Sequence, residues 1–78
     1  MLNKINRKLL VSKKNREMGK QEFEIALRYI ELSGQTDDMN ERLDCAKAAA
    51  NRMKLAAMYL GFKDVESMAK YFNKHGEF

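Results

Sequence analysis

The chain contains no proline and only four glycines in 78 residues, so few positions would interrupt a helix. It also contains one cysteine and one histidine. One cysteine excludes an internal disulfide, and the two residues together fall short of the four ligands of a structural zinc site. A domain this small has a marginal core, and self-association is the usual remedy that remains. We therefore expect one domain over residues 1–78, forming a homo-oligomer without cofactor or metal; a monomer with an economical core is the alternative.

Long apolar runs are also absent. None approaches the roughly 20 residues that a membrane-spanning helix requires. The N-terminal residues include leucines and lysines, but they contain no continuous apolar stretch of the kind found in secretory signals. Together with the lone thiol, these absences favour a cytoplasmic, intracellular protein without a membrane span.

Acidic residues are scarce in the first quarter of the chain. Residues 1–20 contain seven basic side chains and one acid, whereas the remainder carries a net charge of −2. We expect a basic arm or short helix over residues 1–19, with Ser12 and Asn15 as caps or breakers and Gly19 as an interruption. Such an arm is suited to contact an acidic surface, either nucleic acid or protein. The basic residues of this region are Lys4, Arg7, Lys8, Lys13, Lys14, Arg16 and Lys20.

Helical periodicity, by contrast, is strong. A first clear helix is predicted over residues 20–32. Its apolar residues form two adjacent faces, one made of Phe23, Ala26, Leu27 and Ile30 and the other of Ile25, Tyr29 and Leu32. A surface helix needs an apolar stripe of only about 100°, so this helix is expected to contact neighbours on two sides. Ser33 and Gly34 are predicted to end it, with the glycine in the left-handed conformation.

A longer, alanine-rich helix is predicted over residues 37–60, with Asp38 and Glu41 as a capping box and Gly61 after its end. Apolar residues recur along it at spacings of 4 and 3, as in a coiled coil. We call these residues the heptad seam: Met39, Leu43, Ala46, Ala50, Met53, Ala57 and Leu60. The seam packs either on helix 20–32, giving a helical hairpin, or in part on another copy or a partner protein. An acid at Ala50 or Ala57 is then expected to destroy fold or assembly.

A last helix is predicted over residues 64–73, with Asp64 as its N-cap and Gly76 beyond its end. Its inner face consists of Val65, Met68, Ala69 and Phe72. The predicted fold class is therefore all-α: a small helical bundle or hairpin built on a long central helix.

Groups suited to catalysis are few. His75 is the only histidine, and it lies close to the C-terminal end beside Lys74 and Gly76. Cys45 falls in the middle of the long helix, where it is suited to be a small apolar filler. No serine or cysteine lies in a sharp nucleophile turn, and no glycine-rich phosphate loop is present. We expect a protein that is not an enzyme and has no catalytic residues.

The residues from Leu55 to Asp64, LAAMYLGFKD, followed by Met68, Phe72, Lys74 and Gly76, resemble the second helix-turn-helix of AraC-type transcription regulators. That family shows an alanine, a glycine–phenylalanine turn, a serine–aspartate cap, two spaced phenylalanines and a glycine. The resemblance covers about a quarter of the chain. It implies DNA binding with helix 64–73 as the recognition helix. The groove-facing residues would then be Lys63, Glu66, Ser67 and Lys70.

Three functions fit these patterns. The first is a regulatory interaction protein, an inhibitor or adaptor, that binds and modulates a larger macromolecule through helix packing. Aromatic, methionine and arginine side chains off the seam are its candidate anchors: Tyr29, Arg52, Met58 and Tyr59. The second is a nucleic-acid-binding regulator that uses the basic region together with Lys63 and Lys70. The third is an oligomer that encloses an anionic small ligand, such as a nucleotide, between basic side chains and tyrosines.

Overall fold

The structure is a computed structural model that describes residues 11–78. Over that range the chain is all-helical, which confirms the predicted fold class. Helix α1 spans Lys13–Gln35, α2 spans Met39–Tyr59 and α3 spans Val65–His75. α1 and α2 pack side by side as a long antiparallel hairpin, and α3 packs on the end at which α1 begins and α2 finishes. The first ten residues, with the predicted basic residues Lys4, Arg7 and Lys8, lie outside the described part of the chain.

α1 begins earlier than predicted. Its N-cap is Ser12, whose hydroxyl oxygen accepts a hydrogen bond from the Asn15 backbone N–H at 3.1 Å. Residues 13–19, predicted as part of an arm, therefore belong to this helix. Gly19 does not interrupt it, because its missing side chain serves packing. A Cβ at Gly19 would lie 2.5 Å from Leu60 Cγ, so the glycine allows α1 and the end of α2 to approach closely.

α1 also ends later than predicted. The helix continues through Gly34, and its C-cap, Thr36, has extended backbone angles. The prediction of a left-handed Gly34 is wrong, since the glycines with positive φ in residues 11–78 are Gly61 and Gly76. A side chain of α2 satisfies this end of α1, because Arg42 Nε donates a hydrogen bond to the Thr36 carbonyl at 2.7 Å.

The start of α2 keeps half of the predicted capping box. Asp38 Oδ1 accepts hydrogen bonds from the backbone N–H groups of Asn40 at 2.8 Å and Glu41 at 3.4 Å. The Glu41 carboxylate, however, accepts from the Thr36 hydroxyl at 2.7 Å rather than from the Asp38 N–H. That N–H donates to Thr36 Oγ1 at 3.3 Å. Asp38 is thus the N-cap, and the helix begins at Met39, two residues later than predicted.

Gly61 ends α2 as predicted, with φ of 78°. The Phe62 backbone N–H donates to the Ala57 carbonyl at 2.9 Å, and that of Gly61 donates to the Met58 carbonyl at 3.2 Å. This is the geometry of a Schellman motif, which favours glycine at the left-handed position. The turn directs the chain back towards the hairpin, and Phe62 packs against the core.

α3 is capped at both ends. The Asp64 carboxylate accepts a hydrogen bond from the Ser67 backbone N–H at 2.7 Å, and the hydrogen bonding to Ser67 lowers the pKa of Asp64 below its ordinary value. At the other end Gly76 has φ of 74°, and its N–H donates to the Phe72 carbonyl at 2.7 Å. α3 therefore reaches His75, two residues further than predicted.

The core lies where α3 meets the hairpin. Its buried side chains are Phe23, Ala56, Ala57, Leu60 and Met68. The Phe23 ring centroid lies 4.8 Å from that of Phe72 and 4.9 Å from that of Phe78, distances at which aromatic pairs attract. α3 thus covers the half of the hairpin that contains Phe23 and Leu60, and no other helix of the described chain covers the rest of that side.

The first half of the heptad seam does not lie on the line along which α2 contacts α1, which corrects that part of the intramolecular interpretation. The end of the seam does enter the core, with Ala57 and Leu60 buried and Met53 half-buried. The first four seam residues are exposed: Met39, Leu43, Ala46 and Ala50. The stripe of α2 that faces α1 consists of residues that each come one position before a seam residue: Cys45, Ala49, Arg52, Ala56 and Tyr59. Alanines occur both in the heptad seam and in the neighbouring stripe that faces α1, so the spacing of apolar residues alone did not show which stripe contacts α1.

Candidate functional site

A groove runs between α1 and α2 on the side of the hairpin that carries α3, beginning where α3 begins. Its volume is about 510 Å³. It is lined by Ile30, Ser33, Ala46, Ala49, Ala50, Met53, Lys54 and Val65. Half of these eight residues are serine or alanine, whose side chains are too small to fill the space between the two helices. We call this feature the open groove.

Exposed large apolar side chains continue from the open groove along both helices. Ile30 lines the groove, whereas Leu27, one helical turn before it, lines a separate cleft beside Phe23 and Phe72. On α1, Leu27 and Ile30 are 43% and 51% exposed, although the sequence placed them on one face with the buried Phe23. On α2, Leu43 is 52% and Met39 is 65% exposed. Single exposed apolar residues are ordinary, but a set at helical spacing beside a groove is typical of a contact surface. We define the apolar face as Leu27, Ile30, Met39, Leu43, Ala46 and Ala50.

The two edges of the apolar face carry opposite charges. Glu24 and Glu31 lie one helical turn before and after Leu27 on α1. Lys47 and Lys54 lie at the same spacing around Ala50 on α2, and Lys54 also lines the open groove. All four side chains are exposed, and no ion pair within residues 11–78 engages any of them. The apolar face therefore has an acidic edge along α1 and a basic edge along α2.

The predicted basic residues that are described lie on α1, on the turn between α2 and α3, and on α3. Lys13, Lys14 and Lys20 are exposed along the first two turns of α1, and Arg16 is half-buried there. Lys20 lines a separate cleft of about 350 Å³ beside Phe23 and Phe72. These residues and the turn with Lys63 lie at the same end of the hairpin, because Gly19 contacts Leu60. That end is opposite the α1–α2 turn.

The groove-facing residues implied by the helix-turn-helix resemblance lie on or before α3. Glu66 and Lys70 are exposed and form an ion pair with one another at 3.3 Å. Lys63 is exposed beside a cleft of about 440 Å³, and Ser67 is half-buried. Exposed ion pairs of this kind add little stability, so Lys70 can exchange Glu66 for another anion.

Of the predicted partner anchors, Arg52 has an intramolecular role. Its Nη1 donates hydrogen bonds to both carboxylate oxygens of Glu22, at 3.0 and 2.8 Å, linking α2 to α1. The hydrogen bond and the charge of Glu22 raise the pKa of Arg52. Tyr29 and Tyr59 are half-buried between the helices, whereas Met58 is 63% exposed on the outer side of α2. Met58 is therefore the most exposed of the four.

The lone histidine and the lone cysteine lie on different helices, His75 on α3 and Cys45 on α2. The His75 ring lies 4.3 Å from that of Tyr71, and Cys45 is half-buried towards α1. Across residues 11–78, no group of three or more histidine, cysteine, aspartate or glutamate side chains could hold a metal ion. No helix in the same range combines the length and apolar content needed to cross a lipid bilayer.

The apolar face was only partly visible in the sequence. The sequence signal for it was the heptad seam. That seam was expected to pack either on helix 20–32 or, in part, on another copy or a partner protein. The contribution of Leu27 and Ile30 was missed, because a short α3 that covers only half of the hairpin cannot be deduced from helical spacing.

Comparisons with models of known protein families, with curated protein sequences and with solved structures find no match to this chain.

Proposed function

We propose that this chain is a non-catalytic helical interaction protein that binds a partner protein through the apolar face and thereby modulates it. The observation that carries the proposal is the exposure of four large apolar side chains at helical spacing from one another or from the alanines of the open groove: Leu27, Ile30, Met39 and Leu43. Burying the remaining surface of these side chains would contribute about 1 kcal/mol each, before the cost of association. That magnitude suits a reversible, regulatory contact.

Site-specific cross-linking tests the proposal. A benzophenone-bearing amino acid replaces Ala46, on the apolar face, or Asn51, which is exposed on the outer side of the same helix. In extracts of the source organism, we expect one protein to be captured from position 46 and not from position 51. Ala50→Glu should abolish that capture while circular dichroism shows an unchanged helix content. Equal capture from both positions, or capture that Ala50→Glu does not affect, would contradict the proposal.

Nucleic-acid binding through α3 is the second candidate function. It is supported by the Schellman turn at Gly61, which is compatible with the helix-turn-helix resemblance, and by the exposed Lys63 and Lys70. Binding to duplex DNA and to RNA, measured over a salt titration, tests it. Affinity should fall steeply with salt, since phosphate contacts release counterions. Absence of binding at low salt would exclude this candidate.

Self-association remains a prediction. Sedimentation equilibrium of the full chain, with and without Ala50→Glu, measures it directly. A dimer that persists in the variant would place its interface away from the apolar face.

A further inference from the structure

We infer that the occupant of the apolar face is a single amphipathic helix of another protein, with basic side chains along one flank and acidic side chains along the other. The inference rests on the proposed function and adds the chemistry of the partner. The helix would lie in the open groove, on the same side of the hairpin as α3. From Met53 to Met39 the available length is about 21 Å at 1.5 Å per residue, or roughly four helical turns.

The shape of the open groove suits one helix. α3 already shows the arrangement, because its Met68 is buried against the same side of the hairpin at the other end. Val65, at the start of α3, lines the end of the open groove, so an incoming helix would occupy the space beside it. Small residues let helices approach to the close end of the usual 8–10 Å separation, and the groove is lined by four of them: Ser33, Ala46, Ala49 and Ala50.

The charges at the edges specify the flanks of that helix. Glu24 and Glu31 on the α1 edge favour lysine or arginine, whereas Lys47 and Lys54 on the α2 edge favour glutamate or aspartate. These four side chains are exposed and have no ion-pair partner among residues 11–78, so a ligand helix does not compete with existing pairs. A helix with one sign of charge on both flanks would meet repulsion at one edge.

A second copy of the chain fits the apolar face less well. A two-fold axis parallel to the hairpin would bring the α3 helices of both copies to the same end, where each prevents the other hairpin from approaching. A two-fold axis across the hairpin would place α1 on α1 and α2 on α2. Edges of the same charge would then meet, Glu31 against glutamates and Lys54 against lysines.

Three stapled helical peptides of 14 residues, sharing one leucine and alanine stripe, test the inference with the full-length protein. Their flanks carry lysine and glutamate, lysine only, or glutamate only. Fluorescence anisotropy at low salt should show the mixed peptide binding about fivefold more tightly than the other two, since each exposed ion pair changes an equilibrium constant by roughly fivefold or less. The preference should shrink as salt rises. Ala50→Glu should abolish binding of all three.

A charge exchange on the protein separates the edge interaction from general electrostatics. Lys47→Glu with Lys54→Glu makes both edges acidic, so the preference should move to the lysine-only peptide. Lys14→Glu with Lys74→Glu alters the net charge equally, but these exposed positions lie outside the apolar face. That control should still prefer the mixed peptide, while its affinity for all three peptides shifts with net charge alone.

Several outcomes would overturn the inference. Binding of none of the peptides would exclude a helical ligand, and equal binding of all three would exclude recognition by charge. Self-association that Ala50→Glu abolishes would identify a second copy as the occupant. Tighter peptide binding after Leu2, Ile5 and Leu9 are changed to serine would identify the chain's own N-terminal residues. The proposed function has its own test, because a partner can cross-link at position 46 even when no peptide binds.

Discussion

Gly19→Ala is expected to destabilise the protein, although alanine normally favours a helix over glycine. Gly19 lies in the middle of the first half of α1 and is buried against the end of α2. Gly34 provides a matched control in the same helix, because a Cβ there would meet no atom within 4 Å. The same substitution therefore tests close packing at one site and helix propensity at the other.

The magnitude follows from the contacts of the added Cβ. It would lie 2.5 Å from Leu60 Cγ, 2.8 Å from Leu60 Cδ2 and 3.2 Å from Tyr59 Cβ. Leu60 is only 3% exposed, so α1 must shift away from α2 or the core must repack. Such overpacking costs about 1–3 kcal/mol, and helix propensity offsets about 1 kcal/mol of it. Gly34→Ala should stabilise the protein by up to about 1 kcal/mol. The two variants should therefore differ by about 2 kcal/mol.

Urea denaturation followed by circular dichroism measures both free energies of unfolding, and the difference corresponds to roughly 10 °C in Tm. A double-mutant cycle adds a second check. Leu60→Ala should cost less in the Gly19→Ala background than in the wild type, because the smaller side chain relieves the contact. If Gly19→Ala stabilised the protein as much as Gly34→Ala, the close packing of α1 on Leu60 would be refuted.

Other predictions follow from burial and charge. Leu60→Ala should cost about 2–5 kcal/mol of unfolding free energy, whereas Leu43→Ala on the apolar face should cost less than about 1 kcal/mol, as measured by urea denaturation. Since the folded-state pKa of Asp64 is lowered, its stabilising effect is present above the unfolded-state pKa and is lost as pH falls through the folded value. An acid titration should therefore show a smaller loss of stability in Asp64→Ser than in the wild type; an identical acid profile would contradict this. Arg52→Met should lower the Tm, because it removes both hydrogen bonds to Glu22 and leaves that half-buried carboxylate without its cation; an unchanged Tm would show that the pair contributes nothing.

Within residues 11–78, the order and approximate positions of the three helices could be predicted from the sequence. The absence of proline, the caps at Asp38 and Asp64 and the left-handed glycine at Gly61 act locally, so sequence spacing was sufficient for them. Gly19 and Gly34 were misjudged because a glycine inside a helix looks the same in sequence whether it breaks the helix or permits packing. Only the proximity of Leu60 distinguishes the two roles of Gly19.

The position of the contact line between α1 and α2 could not be predicted, for a physical reason. α2 carries two adjacent stripes of small residues, and burial differs between Ala49, which is 4% exposed, and its exposed neighbour Ala50. An alanine stripe permits close approach but supplies little apolar area to favour one alignment over another. The pairing of Arg52 with Glu22 and the burial of Ala49 identify the stripe that faces α1 along most of α2, whereas at the end of α2 the seam residue Leu60 also meets α1 at Gly19.

One pair of substitutions tests the central claim that the apolar face serves binding and not the fold. Ala50 is exposed on this face, and Ala57, one heptad later on α2, is 4% exposed in the core. Ala50→Glu should change the unfolding free energy by no more than about 0.5 kcal/mol while abolishing binding of the mixed-charge peptide. Ala57→Glu should cost more than about 3 kcal/mol, because it buries an unpaired carboxylate. Equal loss of stability in both variants, or peptide binding that survives Ala50→Glu, would contradict the account.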